Sequence, residues 1–86
     1  MQTENGSNRV AVISIIVEEP QRVAEINEIL HSASEYIIGR MGIPYREKNI
    51  SIISIVIDAP MEAISSVSGR LGRLSGVTAK TAYSKS

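Results

Sequence analysis

The sequence predicts an α+β fold: a two-layer sandwich in which a four-stranded antiparallel sheet carries two helices on one face, in the order βαββαβ. Three observations carry that expectation. The stretch VISIIVEEP at residues 12–20 is written again, nearly unchanged, as IISIVIDAP at 52–60. Each copy ends in proline and is followed by apolar residues at helical spacing. Each of those helical stretches is followed by a further short segment of extended character. Two βαβ halves of this length, joined by the short loop Arg46–Asn49, describe the ferredoxin-like split βαβ arrangement. A chain of 86 residues has room for one core. We expect a single domain over 9–83, a disordered N-terminal tail over 1–8 and a C-terminal tail over 84–86.

The elements follow in order. The first and third strands, expected near 9–18 and 49–58, are β-branched runs, which suit the pleated strand. Pro20 and Pro60 stand where a helix begins, because the first helical turn does not need the missing N–H. Val23, Ile26, Leu30 and Ala33 then fall on one helical face, as do Ile64, Val67, Leu71 and Leu74, predicting helices near 20–34 and 60–75. Gly76 is placed to close the second helix. The remaining strands, expected near 36–44 and 77–83, carry Gly39, Gly42 and Pro44 in one and Lys80 with two threonines in the other. Such residues belong at sheet edges, so the two repeated strands are expected side by side in the middle.

Two helices can cover one face of such a sheet, and the other should alternate to polar. It does not. Val10, Val12 and Ile16 oppose Ala11, Ile13, Ile15 and Val17; Ile50, Ile52 and Val56 oppose Ile53, Ile55 and Ile57. The second face, on the order of 350 Å² from strand spacing and length, is large for a monomer to leave bare and marks an interface. It supplies about half of a partner's share of roughly 800 Å² in a standard interface, the rest falling to loops or edge strands. A homodimer or homotetramer built through the sheet is expected. The alternative is a ligand-free interaction module that docks this face on another protein.

Composition excludes several classes. Nine basic and nine acidic residues balance to zero net charge, which does not favour a groove that tracks phosphates. Without cysteine there are no disulfides, zinc ribbons or thiolate sites. The start MQTENGSNR lacks a secretory apolar region, and no apolar run reaches membrane-spanning length, so a cytoplasmic protein is expected. Phe and Trp are absent and Tyr36, Tyr45 and Tyr83 are the only aromatic residues. The core is therefore aliphatic, and base-stacking platforms are wanting.

Each candidate site has a structural reading beside it. SGRLGRLSG at 68–76 is glycine-rich but sits late in a helix, where a phosphate-cradling loop would precede one. Ser65, Ser68, Gly69 and Gly72 make a small-residue stripe, read as close approach to the neighbouring helix or as the floor of a ligand site. His31, the only histidine, suits the end of a helix and makes a poor metal site alone. Arg40, Arg46, Glu47 and Lys48 gather around Pro44, either as edge-guarding or intersubunit charges or as an anion anchor. Glu18, Glu19 and Asp58 lie at the repeated strand-to-helix corners, which we expect to approach each other; capping of helix N-termini is preferred there to acid–base chemistry. No nucleophile, base and orienting group can be assembled, so no catalytic residue, metal or cofactor is assigned.

GRMGIPYREKNISIISIVIDAP followed by ISSVSGRLGRLSGV resembles the small bacterial family of regulators of the iron-only hydrogenase system. Arg40-Met41-Gly42, Pro44 with Arg46-Glu47, Ser68-Gly69 with Leu71-Gly72, and Ser75-Gly76-Val77 carry the likeness, over about residues 9–82. The resemblance implies an ACT-like domain, similar in fold to the ligand-binding half of nickel-responsive repressors, and a regulatory, oligomerising role rather than an enzyme. Those repressors add a ribbon–helix–helix domain, whereas only Met1–Asn8 precede the first strand here, so direct nucleic-acid binding is not carried over. Their nickel site uses several histidines and a cysteine; one His31 does not supply it. The copper chaperones of this fold need CxxC, its acylphosphatases an arginine in a Gly-rich first loop, and its RNA binders aromatic central strands; all are missing. The expected effector, a small molecule at a subunit interface, would meet Arg40, Arg46, Ser68 and Gly69, with the arginines anchoring an anion.

Overall fold

The computed structural model describes residues 8–85. Its elements are β1 (Asn8–Val17), a 3-10 turn (Pro20–Arg22), α1 (Val23–Ser32), a second such turn (Ser34–Tyr36), β2 (Ile37–Tyr45), a third (Arg46–Lys48), β3 (Ile50–Pro60), α2 (Met61–Gly72) and β4 (Val77–Tyr83). The sheet order is β2-β3-β1-β4, and all three pairings are antiparallel. This is the expected ferredoxin-like sandwich. The repeated strands are central and the glycine- and lysine-bearing strands form the edges.

The register of β1 on β3 pairs Ser14 directly with Ser54. These serines occupy the same place in the two copies of the repeat, so the fold's local twofold passes between them. Everything else in the pairing follows: Val12 faces Val56, Ile16 faces Ile52, and Ile13 faces Ile55. Because opposed residues share a face, Ala11, Ile13, Ile15 and Val17 join Ile53, Ile55, Ile57 and Ala59 under the helices, and all eight are buried. Ile26, Ile29 and Leu30 of α1 and Ile64, Val67 and Leu71 of α2 complete the core with Ala33 and Val77. Among the described residues none that is polar is buried, so burial and packing of aliphatic side chains are the main force between the layers.

The helices start differently from the expectation. Pro20 opens a 3-10 turn rather than α1, and Pro60 closes β3 as the residue before α2; neither helix start carries a side-chain cap. The extra turn lets the chain descend from the sheet before α1 lies across it. The acids at the corners therefore do not cap backbone, and they do not meet. β1 ends beside Ser51 and Asp58 stands beside Val10, so Glu18 and Asp58 lie at opposite ends of the sheet, roughly 27 Å apart at about 3.4 Å per residue. Antiparallel neighbours place equivalent corners at opposite ends, which overturns the expected approach.

Gly76 follows α2 at φ +74° and accepts from the Glu18 backbone N–H at 2.7 Å. It ties the turn after β1 to the turn before β4. A Cβ there would stand 2.7 Å from Glu19 Cδ and 2.9 Å from its Cβ, so glycine is required twice over. The close helix approach expected at Gly69 and Gly72 is not found. An added Cβ meets only Arg73 Nη1 at 3.8 Å at Gly69 and nothing within 4 Å at Gly72, and Ser68 of the same stripe bonds Thr81 of β4 rather than α1. Asn8 belongs to β1 and the Ser84 N–H donates to Val10 O at 2.9 Å, so both residues, expected in the tails, extend the sheet. The rest of the N-terminal tail and Ser86 lie outside the described residues.

Candidate functional site

The uncovered face of the sheet is assembled by register. One row reads Ile43–Ile52–Ile16–Thr78, the next Met41–Ser54–Ser14–Lys80, and the next Gly39–Val56–Val12–Ala82. Beyond them lie the pairs Tyr45–Ile50 and Val10–Asp58. Exposures of 59% at Met41, 51% at Ile43, 43% at Ile16 and 40% at Ile52 show that none of the described elements covers this face. The two serine hydroxyls and Lys80 interrupt an otherwise aliphatic surface. β2 is exposed along nearly its whole length, with a register break between Ile37 and Gly39 that leaves Ile38 outside the pairing.

The four residues expected around an effector do not gather in one chain. Arg40 shares a face with Ile55, on the helix side, and its Nη2 donates to Asn27 Oδ1 of α1 at 2.7 Å. Arg46 begins the exposed turn between β2 and β3, beside a small hollow of about 100 Å³ that Pro20, Pro44, Tyr45 and Asn49 also line. Ser68 belongs to α2 and accepts from Thr81 Oγ1 of β4 at 3.1 Å, with Gly69 next to it. The arginines therefore stand at the β2 edge and Ser68 with Gly69 at the β4 edge. Two strands separate the edges, about 14 Å by strand spacing. Only an arrangement of several chains could bring the pairs together.

A second polar cluster locks the turns below Gly76. Ser75 Oγ donates to Glu19 Oε1 at 3.1 Å and accepts from Arg22 Nη2 at 2.8 Å. Arg22 also bridges Glu19 at 3.3 Å and Glu25 at 2.8 Å. The hydrogen bond to Glu25 is the largest influence holding the Arg22 guanidinium above its ordinary pKa, with Glu19 adding to it. This network joins residues far apart in sequence and reads as a brace. His31 is exposed, and among the described residues no three His, Cys, Asp or Glu stand together as a metal site. No helix among the described residues is long and apolar enough to cross a membrane.

Sequence reasoning missed Asn27 and Ser75 as partners of Arg40 and Glu19. Neither carries a spacing signal, since both contacts depend on how α1 and the turn after α2 sit on the sheet.

A family model named TM1266-like, described as "Iron-only hydrogenase system regulator, putative", matches residues 9–81. No curated protein matches the chain. Among solved structures, the uncharacterized protein TM1266 from Thermotoga maritima is 38% identical, with 91% of this chain and 99% of that chain covered at a TM-score of 0.87. The ACT domain from GTP pyrophosphokinase of Chlorobium tepidum is 13% identical over 93% of this chain and 90% of its own, at a TM-score of 0.61. CPII, a nitrogen regulatory PII-like protein from Thiomonas intermedia K12 bound to ADP, AMP and bicarbonate, is 15% identical over 88% and 94%, at 0.51. The last two likenesses show the fold alone.

Proposed function

The chain belongs to the TM1266-like family, and from that membership we propose a small non-catalytic regulatory domain that self-associates through its bare sheet face. The observation that carries this reading is the face itself. Val10, Val12, Ile16, Ile50, Ile52, Val56, Met41 and Ile43 present an aliphatic surface that both helices leave uncovered. Aliphatic surface of this extent is stabilised by burial at about 25 cal/mol per Å², and sheet-on-sheet packing at about 10 Å is the ordinary way to bury it. A second copy offers a matching aliphatic surface.

Packing of the bare faces does not itself join the expected effector residues, since Arg40 bonds Asn27 on the helix side and Ser68 and Gly69 belong to α2. That takes a further contact, the β2 edge of one chain against the β4 edge of another. Arg40 and Arg46 on one chain, and Ser68 and Gly69 on another, can share a site only across a boundary between chains. The effector is then a link between binding and assembly, as a regulator requires. The likeness to an ACT domain and to a PII-like protein supports a regulatory use of this fold by analogy.

Thermal denaturation against a panel of amino acids, nucleotides and small organic acids tests the effector part. A ligand at 100 times its Kd adds about 2.7 kcal/mol. The expected result is stabilisation by at least one member, with the oligomer shifted in the same titration. A stable monomer that no ligand stabilises would contradict the proposal and favour docking on a different protein.

A further inference from the structure

An open cleft of about 580 Å³ runs between α1 and β2, within the roughly 300–1,000 Å³ usual for small-molecule sites. Leu30, which is buried, and the partly buried Ile37 give it an apolar base. Arg40 reaches into it from β2, and Asn27, Glu28 and His31 line it from α1. Arg40 is the guanidinium of this cleft. Its one hydrogen bond is to a neutral amide oxygen, and among the described residues the ion pairs belong to Arg22. A guanidinium carries five N–H donors, so most of Arg40's remain for a ligand. Asn27 spends its oxygen on Arg40, which leaves its two amide N–H donors for the same purpose. Arginine and amide together thus present donors and positive charge beside an apolar base. Glu28 lines the same cleft and repels a second negative group.

We propose that this cleft binds a small organic monocarboxylate with an apolar body, its carboxylate on Arg40 and Asn27 and its body on Leu30 and Ile37. The inference deepens the effector part of the proposed function and rests on it, but it places the site within one chain. Single carboxylates bind and dianions are disfavoured, because two charges cannot both be met by one arginine beside Glu28.

The test is an NMR titration of the full chain, following backbone amides, with three probes that share a phenyl body: phenylacetate, phenethylamine and phenyl phosphate. Phenylacetate should give saturable shifts confined to residues 24–40. Arg40→Gln should weaken it about tenfold, while Arg73→Gln, an exposed arginine outside the cleft, leaves it unchanged. Phenethylamine should not bind there. Phenyl phosphate should bind more weakly than phenylacetate and recover in Glu28→Gln. Absence of saturable shifts with phenylacetate, equal binding of the amine, or unaltered affinity in Arg40→Gln would overturn the site. If another effector stabilises the protein without moving residues 24–40, this cleft falls while the proposed function stands.

Discussion

Replacing Gly76 with alanine should destabilise the domain more than any other single methyl addition to its turns. Two costs combine. At φ +74° an L-residue pays about 1–2 kcal/mol for the left-handed conformation. The new Cβ would also overlap Glu19, at 2.7 Å from Cδ and 2.9 Å from Cβ. Overpacking of this kind costs about 1–3 kcal/mol. The Glu19 carboxylate can swing away, but only by breaking its bonds to Ser75 and Arg22. The Cβ contact remains even then, and relieving it by moving backbone strains the 2.7 Å bond from Glu18 N–H to Gly76 O. The sum is about 2–5 kcal/mol, a large part of the 5–15 kcal/mol that a small domain has. With a urea slope of about 1.5 kcal/mol/M, the unfolding midpoint falls by roughly 1.3–3.3 M at fixed protein concentration. In a Glu19→Ala background the Cγ and Cδ overlaps vanish, so part of the cost should disappear and the two changes should couple by about 1 kcal/mol. Gly76→Asn should keep the overlap while easing the backbone term, since asparagine tolerates this conformation. A Gly76→Ala variant within about 0.5 kcal/mol of the parent would show that neither the left-handed backbone nor the Glu19 contact constrains this turn.

Other outcomes follow from the same geometry. Gly72→Ala should stabilise by about 0.5–1 kcal/mol in thermal unfolding, because helix propensity improves and an added Cβ meets nothing within 4 Å; destabilisation would mean that another chain lies against this helix face. Ile52→Lys, on the bare face at 40% exposure, should dissociate the oligomer at least about 100-fold, since an unpaired ammonium would be buried there; circular dichroism should report an intact fold and sedimentation the loss of mass. Ile55→Ala should cost about 2–5 kcal/mol in urea unfolding, because Ile55 is fully buried under the helices; a cost below about 1 kcal/mol would show a looser core.

The repeat made the centre of this fold legible. β-branched runs at a fixed offset give β1 and β3, and their alternation assigns Ile13, Ile15, Ile55 and Ile57 to the core and Ile16 and Ile52 to the bare face. The edges were legible because Gly39, Pro44 and Lys80 are residues that central ladders exclude. The corners were misjudged where the repeat was read as proximity: equivalent positions on antiparallel neighbours lie at opposite ends, as Glu18 and Asp58 do. The glycines of α2 were misjudged where composition was read as contact, since which face of a helix meets its neighbour depends on how it rolls on the sheet. The candidate effector residues were found on both edges because sequence motifs carry no distance. The Arg40–Asn27 bond stayed invisible because it forms only once α1 has settled along β2.

Whether copies of this chain cover the bare sheet face is decided by absolute mass in solution, from size-exclusion chromatography with light scattering over a wide concentration range. Association through this face gives a stable dimer or tetramer for the parent chain, and a single-chain mass for Ile52→Lys at the same concentrations. A single-chain mass for the parent at every concentration would contradict it.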